Sequence, residues 1–332
     1  MDSVYRFRSD PRLRFEHGTH QFISPNTGVT LEYIVYRPPW AMNHEPRDNF
    51  IMVQCPGWGM GSRYLQHFLT ELWAPPSRRR GRREHEPYTL IFLHPRGTGN
   101  SSQMPWSEKM STMDMVSDVE ELRLHLGVDQ FPVILGHSNG GSIALGYAET
   151  YVDRVKKLIL ISPHVLGQPD LRLVDLAATQ YDPAYGNAWE RATQLKPVSN
   201  EQFTKEMHKI WPLFFFDPPT HVDGLVDSFG GEEFSAWTFL RQKAADRPWK
   251  KAQKMFLDLS LVRADTLIMF GLDDFFGREE VAVATKERIP NSILIRYRNC
   301  GHFPMVERET DVLRDIRRFI GGRSRRNGEK KT

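Results

Sequence analysis

The stretch that most constrains the fold of this chain is residues 131–147, where a short apolar run, a glycine-rich turn and a helix-compatible pattern follow one another. The turn, residues 136–140, reads Gly-His-Ser-Asn-Gly and carries Ser138 at its centre. Between a strand and a helix, a Gly-x-Ser-x-Gly turn holds its serine at strained backbone angles and exposes the hydroxyl at the helix N-terminus. Backbone amides and the helix dipole favour a developing oxyanion there, so the pattern predicts Ser138 as a nucleophile.

A five-residue motif is a weak signal by itself, and the rest of the chain supplies its context. Short apolar runs alternate with helical patterns, and the first two runs are joined by a turn-forming Pro-Asn-Thr-Gly. Such alternation predicts a mostly parallel sheet covered by helices, with ligands bound beyond the carboxyl ends of the strands. Eight strands are predicted, at residues 19–24, 30–37, 50–54, 88–93, 133–135, 155–161, 266–270 and 292–297.

The pattern changes between residues 166 and 258. Strand signals disappear there, aromatic residues become frequent, and helical segments are joined by proline-containing breaks. We interpret this stretch, residues 166–258, as an inserted α-helical cap over the sheet. The rest of the chain then divides into two parts of one α/β core, residues 1–165 and 259–320, and a basic disordered tail at 321–332.

Composition and charge exclude several other classes of protein. The 332 residues are 40% hydrophobic and 26% charged, with a net charge of +3, as in an ordinary globular protein. The excess positive charge lies at residues 77–83 and 323–331 without interleaved aromatic residues, which favours solvated loops over a nucleic-acid-binding surface. No window approaches the roughly 20 consecutive apolar residues of a membrane span, and residues 1–6 lack an apolar signal core.

The positions of cysteine, histidine and glycine indicate the cellular compartment and whether a cofactor is needed. Cys55 and Cys300 have no metal-ligand spacing and are too few for a disulfide framework, so a reducing, cytoplasmic location is predicted. No spacing of histidines and carboxylates indicates a metal site, and the glycine-rich loops lack the lysine of a phosphate-binding loop. We therefore predict an enzyme without cofactor or metal that binds a small-molecule substrate, and neither nucleic acid nor a membrane.

Three further loops extend the pattern around the serine. Residues 96–101 read Arg-Gly-Thr-Gly-Asn-Ser, residues 271–275 read Gly-Leu-Asp-Asp-Phe after a late strand, and residues 299–304 read Asn-Cys-Gly-His-Phe-Pro after the next one. A serine, an acid and a histidine therefore follow one another in that chain order. Together these features resemble the α/β-hydrolase family, and within it the proline iminopeptidase-like branch with a helical cap. The resemblance covers nearly the whole chain.

The resemblance implies roles for three residues. Ser138 would be the nucleophile, activated by proton transfer to His302 as it attacks an acyl carbon. Asp274 would orient His302, because the family usually places its acid three residues after the glycine that ends the strand. The neighbouring Asp273 stays an alternative for this acid.

The resemblance also implies an oxyanion hole made by two backbone amides, those of Asn139 and Trp58. The loop that carries Trp58 departs from the family pattern, because relatives usually have His-Gly there, whereas residues 56–59 read Pro-Gly-Trp-Gly. A backbone donor survives this change. The bulky Trp58 side chain beside the acyl pocket speaks against aminopeptidase specificity.

Side chains of the cap are expected to set the substrate. A cap encloses what lies below it, so some of its aromatic residues should line the cavity. An iminopeptidase would also use a cap carboxylate to neutralise the amino group of its substrate, and Glu233, beside Glu232, is a candidate. The side chains predicted to contact substrate are those of Trp58, Trp211, Phe215, Glu233 and Trp237.

Three functions fit these observations. The first is a serine hydrolase that forms an acyl-enzyme with an apolar ester, lactone or small amide, with proline iminopeptidase activity as a narrower version. The second keeps the fold but changes the chemistry to a lyase or cyclisation reaction, in which the histidine moves a proton and no acyl-enzyme forms. The third is a ligand-binding protein with little turnover, because a fold alone does not determine function.

Overall fold

The computed structural model describes residues 11–37, 47–73, 88–103, 110–163, 165, 199–252, 258–274, 276–277 and 279–322. The arginine-rich loop at 77–83, the first part of the predicted cap at 166–198 and the basic tail from 323 onwards lie outside these ranges. The structural predictions made for them, and the domain boundaries drawn through them, stay predictions.

The centre of the structure is a sheet with the strands β1 Gly18–Ile23, β2 Thr30–Tyr36, β3 Phe50–Gln54, β4 Thr89–Leu93, β5 Phe131–His137, β6 Val155–Ile161, β7 Asp265–Gly271 and β8 Ser292–Tyr297. Their spatial order is β1-β2-β4-β3-β5-β6-β7-β8. β1 and β2 form the predicted hairpin and β2 is antiparallel to β4, while the other neighbours are parallel. This order confirms the predicted eight-stranded, mostly parallel sheet.

Burial along the strands explains why these apolar runs form them. Every residue of β3 and of β4 is buried, as expected for central strands that are covered on both faces. The parallel register places Gln54, the last residue of β3, beside Gly136 of β5. The loops that follow these strands therefore leave the sheet at the same edge, which is where the resemblance places the reacting groups.

The α-helices in the described residues are α1 Arg63–Leu69, α2 Thr112–Leu126, α3 Asn139–Thr150, α4 Asn200–Ile210, α5 Pro218–Ser228, α6 Ala236–Ala252, α7 Glu279–Arg288, α8 Pro304–Glu307 and α9 Glu309–Gly321. α2 shows how local sequence sets the ends of a helix. Ser111 and Asp114 form a capping box at its start, and Gly127 ends it with a left-handed φ of 71°. Among the residues described, no helix combines the length and apolar character needed to span a bilayer.

Residues 199–252, called the helical segment below, contain α4, α5 and α6 and contact the loops at the carboxyl edge of the sheet. The backbone amide of His302 donates to the carbonyl of Phe214 at 2.7 Å. The hydroxyl of Thr238, in α6, donates to the carbonyl of Gly97 at 2.8 Å. These hydrogen bonds fix the helical segment over the edge where the strands end.

A buried ion pair stabilises the loop that follows β4. Nε and Nη2 of Arg96 each donate to the Asp118 carboxylate at 2.7 Å, and both side chains are at most 5% exposed. Arg96→Ala leaves the Asp118 charge buried without its partner, so we expect a loss of about 3–5 kcal/mol in the free energy of unfolding. Urea denaturation, followed by circular dichroism, measures this free energy of unfolding for the wild type and the variant.

The matched control is Arg263→Ala. Arg263 pairs with Asp153 at 2.8 Å, but both side chains are about 70% exposed, so the loss should stay below about 1 kcal/mol. Equal losses for the two variants would contradict the argument that burial, rather than the ion pair itself, sets the cost.

Candidate active site

Ser138 lies in the sharp turn between β5 and α3, with φ 53° and ψ −122°. A positive φ is uncommon for residues other than glycine, so this backbone is strained and the surrounding turn must hold it. The flanking glycines show how the turn closes. A side chain at Gly136 would clash with the backbone of Gly140, and one at Gly140 would clash with the carbonyl of Gln54. The serine is thereby held at the first turn of α3.

Two hydrogen bonds join Ser138, His302 and Asp274. Oγ of Ser138 is 2.8 Å from Nε2 of His302, and Nδ1 of His302 is 2.8 Å from Oδ2 of Asp274. An ionised carboxylate accepts and does not donate, so Nδ1 carries the imidazole proton and Nε2 accepts the hydroxyl proton of Ser138. All three residues are buried. The arrangement suits a serine that loses its proton to the imidazole as its oxygen attacks.

Asp274, rather than Asp273, faces the predicted histidine. Its second oxygen, Oδ1, accepts hydrogen bonds from the backbone amides of Phe276 and Gly277 at 2.8 and 3.1 Å. Asp273 instead accepts a hydrogen bond of 3.3 Å from the backbone amide of Cys300. The sequence left both acids open, and in the structure Asp274 is the one hydrogen-bonded to the imidazole.

His137, the residue before the serine, braces the loop that carries His302. Its Nε2 donates to the carbonyl of His302 at 2.9 Å, and its Nδ1 accepts from the hydroxyl of Tyr64 at 2.9 Å. Burial, reinforced by the neighbouring His302, holds the pKa of His137 well below its ordinary value. A neutral ring has one donor and one acceptor nitrogen, which matches these two partners.

The loop after β3 and the start of α3 are tied together beside Ser138. Oδ1 of Asn139 accepts hydrogen bonds from the backbone amide of Gly57 and from Nε2 of Gln242, each 2.9 Å long. These bonds fix the relative position of the two stretches that carry the predicted oxyanion donors, the amides of Asn139 and Trp58. The role of those amides stays a prediction.

Gln242 extends this tie into a buried polar network that includes α6. Its Nε2 also donates to Oγ1 of Thr112 at 3.0 Å. The backbone amide and hydroxyl of Thr112 donate to the carboxylate of Asp246 at 2.7 and 2.8 Å. Thr112, Gln242 and Asp246 are at most 2% exposed, so these hydrogen bonds lie away from solvent. Sequence reasoning missed it because its members are far apart in the chain.

Aromatic side chains surround the histidine. The rings of Phe214 and Phe276 lie 5.5 and 5.4 Å from the imidazole of His302 and stack on each other at 4.2 Å. Trp58 packs edge-on against Phe276 at 6.5 Å and against Phe239 of the helical segment at 5.9 Å. This side of the site is apolar. Within the described residues, no group of three or more His, Cys, Asp or Glu could hold a metal ion.

The other side chains predicted to contact substrate are placed differently. Trp211 and Phe215 belong to the helical segment, are 1% and 2% exposed, and pack in the apolar core. The Trp237 ring lies beside the backbone of Gly97. Glu233 is exposed and lines a cavity whose described lining includes none of the three hydrogen-bonded residues above. The contact of these side chains with substrate stays a prediction. Phe214 and Phe276, which lie beside His302, are additional candidates that the sequence did not single out.

The chain matches a family model described as the alpha/beta hydrolase fold over residues 50–309, which is more than half of its length. The chain therefore belongs to the α/β-hydrolase fold family. The fold also resembles solved hydrolases. The esterase RhEst1 from Rhodococcus sp. ECU1013 gives a TM-score of 0.66 at 19% identity, with 92% of this chain and 100% of the esterase covered.

The curated relatives are enzymes. The chain is 22% identical over 218 residues to a cis-3-alkyl-4-alkyloxetan-2-one decarboxylase from Shewanella oneidensis, 25% over 247 residues to Lipase 3 from Moraxella sp., and 29% over 182 residues to a probable proline iminopeptidase from Leptolyngbya boryana. The alignments cover 62%, 71% and 55% of this chain and 64%, 70% and 49% of those relatives. They confirm the predicted α/β-hydrolase enzyme with proline iminopeptidase-like relatives.

Proposed function

We propose that this protein is a serine hydrolase that cleaves small apolar esters through an acyl-enzyme on Ser138. The observation that carries the proposal is the pair of 2.8 Å hydrogen bonds from Ser138 through His302 to Asp274, the order that nucleophilic catalysis needs. The strained backbone of the serine supports it, because strain of this kind clusters at functional sites.

The reaction follows from the positions of these groups. Oγ of Ser138 attacks the acyl carbon while Nε2 of His302 takes the hydroxyl proton, and the carbonyl oxygen becomes an oxyanion held by the amides of Asn139 and Trp58. The bond to the leaving alcohol then breaks as His302 returns the proton to it. Water, deprotonated by His302, next hydrolyses the acyl-enzyme. Asp274 stays ionised and stabilises the imidazolium in both steps.

The apolar surroundings support an ester with an apolar acyl group. Phe276 and Phe214 lie beside the imidazole, and Trp58 packs on the same cluster. A hydrocarbon chain bound there would leave water and contact these aromatic rings, which is favourable. The amino group of an iminopeptidase substrate has no comparable partner among these side chains. The ester version is therefore the one we favour.

Active-site labelling tests the proposal. A fluorophosphonate probe reacts with a serine that a base activates, so peptide mass spectrometry of the labelled wild-type protein should find its first adduct on Ser138. In His302→Ala the base is absent, and the adduct on Ser138 should largely disappear. A folded wild-type protein without an adduct on Ser138 would overturn the proposal.

Trp58→Ala should shift the preference toward longer acyl chains. Loss of the indole opens space beside Phe239 and Phe276, so we expect the ratio of kcat/KM for p-nitrophenyl octanoate over acetate to rise about 10-fold. Steady-state rates on the two esters measure it. Phe216→Ala removes an exposed ring of the helical segment and should leave the ratio unchanged. An unchanged ratio in Trp58→Ala would show that Trp58 does not limit the acyl pocket.

Gln242→Leu should lower kcat for p-nitrophenyl acetate about 10-fold and change KM little. The substitution keeps the volume but removes the hydrogen bonds to Asn139 and Thr112 that hold the oxyanion loop, and an oxyanion is bound in the transition state rather than in the ground state. Gln202→Leu, an exposed glutamine in α4, is the matched control. A rise in KM at constant kcat would speak against a positioning role for Gln242.

A second candidate function is decarboxylation of a cyclic ester, and the observation that favours it is the relative named as an oxetan-2-one decarboxylase. A cis-3,4-dialkyloxetan-2-one distinguishes the two chemistries, because hydrolysis yields a hydroxy acid whereas decarboxylation yields an alkene and carbon dioxide. Mass spectrometry of the products decides. The alkene as main product would replace the hydrolase proposal.

A further inference from the structure

A second serine–histidine–carboxylate relay lies outside the candidate active site. Oγ of Ser62 is 2.5 Å from Nε2 of His94, and Nδ1 of His94 is 2.6 Å from Oε1 of Glu32. The three residues are 1%, 4% and 2% exposed. The order of the hydrogen bonds, from serine to histidine to carboxylate, is the same as in Ser138, His302 and Asp274, but different residues form it.

The fold brings these three residues together from distant segments. Glu32 lies in β2, and the antiparallel pairing of β2 with β4 places it beside His94, whose backbone amide donates to the carbonyl of Glu32 at 3.0 Å. Ser62 lies at the end of the loop after β3 and precedes α1. No spacing in the sequence indicates this arrangement, so His94 has no visible partner until the chain is folded.

Hydrogen bonds to Glu32 fix the direction in which a proton can move. Its carboxylate also accepts from the backbone amide and from Nδ2 of Asn100, at 3.2 and 2.5 Å. Burial opposes ionisation of Glu32, but the bonds from His94 and Asn100 outweigh it and leave the pKa of Glu32 below its ordinary value. An ionised Glu32 needs the proton of His94 on Nδ1, so Nε2 accepts the hydroxyl proton of Ser62.

Gln66 and Tyr36 fix the position of the Ser62 hydroxyl oxygen. Nε2 of Gln66 donates to Oγ of Ser62 at 2.5 Å, and the hydroxyl of Tyr36 donates to Oε1 of Gln66 at 2.9 Å. The Gln66 amide is therefore held from its far side, with its donor directed at the serine. Ser62 thus has a base for its proton and a fixed donor on its oxygen.

A cavity of about 970 Å³ adjoins this relay and is lined by Ser62, His94 and Glu32 themselves. Glu232 also lines the cavity, and its buried Oε2 has no hydrogen-bond partner among the described residues. Besides the histidines, the charged side chains of the described lining are the carboxylates of Glu32, Glu232 and Glu233 and the guanidinium of Arg63. An excess of carboxylates repels anions and favours uncharged or cationic molecules.

We propose that Ser62 is a second reactive serine, which is acylated or phosphonylated by small, polar, uncharged or cationic activated esters that enter this cavity. Oγ of Ser62 forms a bond to the carbonyl carbon or phosphorus of the donor, and the bond from that atom to its leaving group breaks. The proton of Ser62 passes to Nε2 of His94 and from there to the leaving group. This site is separate from Ser138 and does not depend on the function proposed above.

The surroundings of Ser62 also set how fast it reacts. Ser62 has an ordinary φ of −91°, unlike the strained Ser138. In the part of the chain that the structure describes, no pair of backbone amides is assigned to an oxyanion at Ser62. Loss of one such donor commonly slows an enzyme by about 10²–10³-fold, so Ser62 should react more slowly than Ser138 by roughly that factor.

The experiment uses Ser138→Ala protein and two probes of different size, an alkyl fluorophosphonate and p-nitrophenyl acetate. The tryptic peptide that follows Arg47 and ends at Arg63 contains Ser62 as its only hydroxyl-bearing residue and Cys55 as its only thiol, so fragmentation in the mass spectrometer distinguishes an adduct on Ser62 from one on Cys55. We expect Ser62 to be modified roughly 10²-fold faster than Ser228 and Ser235, which line the same cavity. Those two serines are internal controls that need no further variant.

Second variants test the role of the histidine. Adding His94→Gln to Ser138→Ala should remove the adduct on Ser62, whereas adding Ser228→Ala should preserve it. The proposal is overturned if neither probe modifies Ser62 in folded Ser138→Ala protein, since the relay is then only a brace between loops. It is equally overturned if Ser62 reacts no faster than Ser228 and Ser235, or if a folded His94→Gln variant keeps the adduct.

Discussion

Replacing Ser138 by alanine is expected to lower kcat/KM for p-nitrophenyl acetate by about 10⁴-fold or more. The hydroxyl is the only group in the relay that forms a bond to the acyl carbon, so His302 and Asp274 retain their contact but have no nucleophile to activate. The rate is measured from nitrophenolate release at saturating and subsaturating ester. The protein should keep its melting temperature within a few degrees, because the change removes one side-chain atom.

Ser117→Ala is the matched control for this variant. Its hydroxyl donates to the carbonyl of Asp114 within α2 and takes no part in the site, so activity should be unchanged. If Ser138→Ala retains most of the wild-type rate while Ser117→Ala behaves as expected, Ser138 is not the nucleophile and the proposed mechanism is wrong. A slow residual turnover in Ser138→Ala would be attributed to Ser62. It should then disappear in the Ser62→Ala, Ser138→Ala double variant.

Asp274→Asn is expected to lower kcat by roughly 10³–10⁴-fold. The amide keeps the size of the carboxylate, but it no longer requires a proton on Nδ1 of His302, and it cannot stabilise the imidazolium that forms when Ser138 loses its proton. Nδ1 and Nε2 can then exchange roles, and the nitrogen facing the serine is no longer reliably an acceptor. Steady-state kinetics on p-nitrophenyl acetate measure the effect.

Asp273→Asn provides a control one residue away. Asp273 accepts a weak hydrogen bond from the amide of Cys300 and does not contact His302, so an amide oxygen should serve there nearly as well. We expect less than about a 5-fold loss of activity, since one 3.3 Å hydrogen bond is changed rather than removed. A larger loss in Asp273→Asn than in Asp274→Asn would reverse the assignment of the acid.

The helical segment shapes both the apolar part and the polar part of the site. Phe214 lies against the imidazole of His302 and also accepts a hydrogen bond from its backbone amide. Gln242 holds Asn139 next to the serine. Substitutions of those residues of the segment that contact the site are therefore expected to change catalytic rate as well as substrate preference. The Gln242 variant tests the polar contact of this segment, and the Trp58 variant tests the loop after β3 that packs against its Phe239.

The sequence by itself determined the architecture. Runs of strand length predicted all eight strands, with differences of at most two residues at their ends. The signal is clearest in the central strands, because a strand buried on both faces must be apolar along its whole length. The glycine-rich turn predicted the strained serine, since the space around Gly136 and Gly140 admits no side chain. The order of Ser138, Asp274 and His302 along the chain made them candidates, and the structure brings them within hydrogen-bonding distance.

Only the tertiary structure decided which side chains meet. Periodicity shows whether a position is buried, but a contact between distant segments depends on register and loop path, which leave no periodic trace in the sequence. The choice between Asp273 and Asp274, the contact of Gln242 with Asn139 and the pairing of His94 are of this kind. The same reason applies to Trp211 and Phe215, which pack in the apolar core, although their aromatic character made them candidates for a substrate pocket.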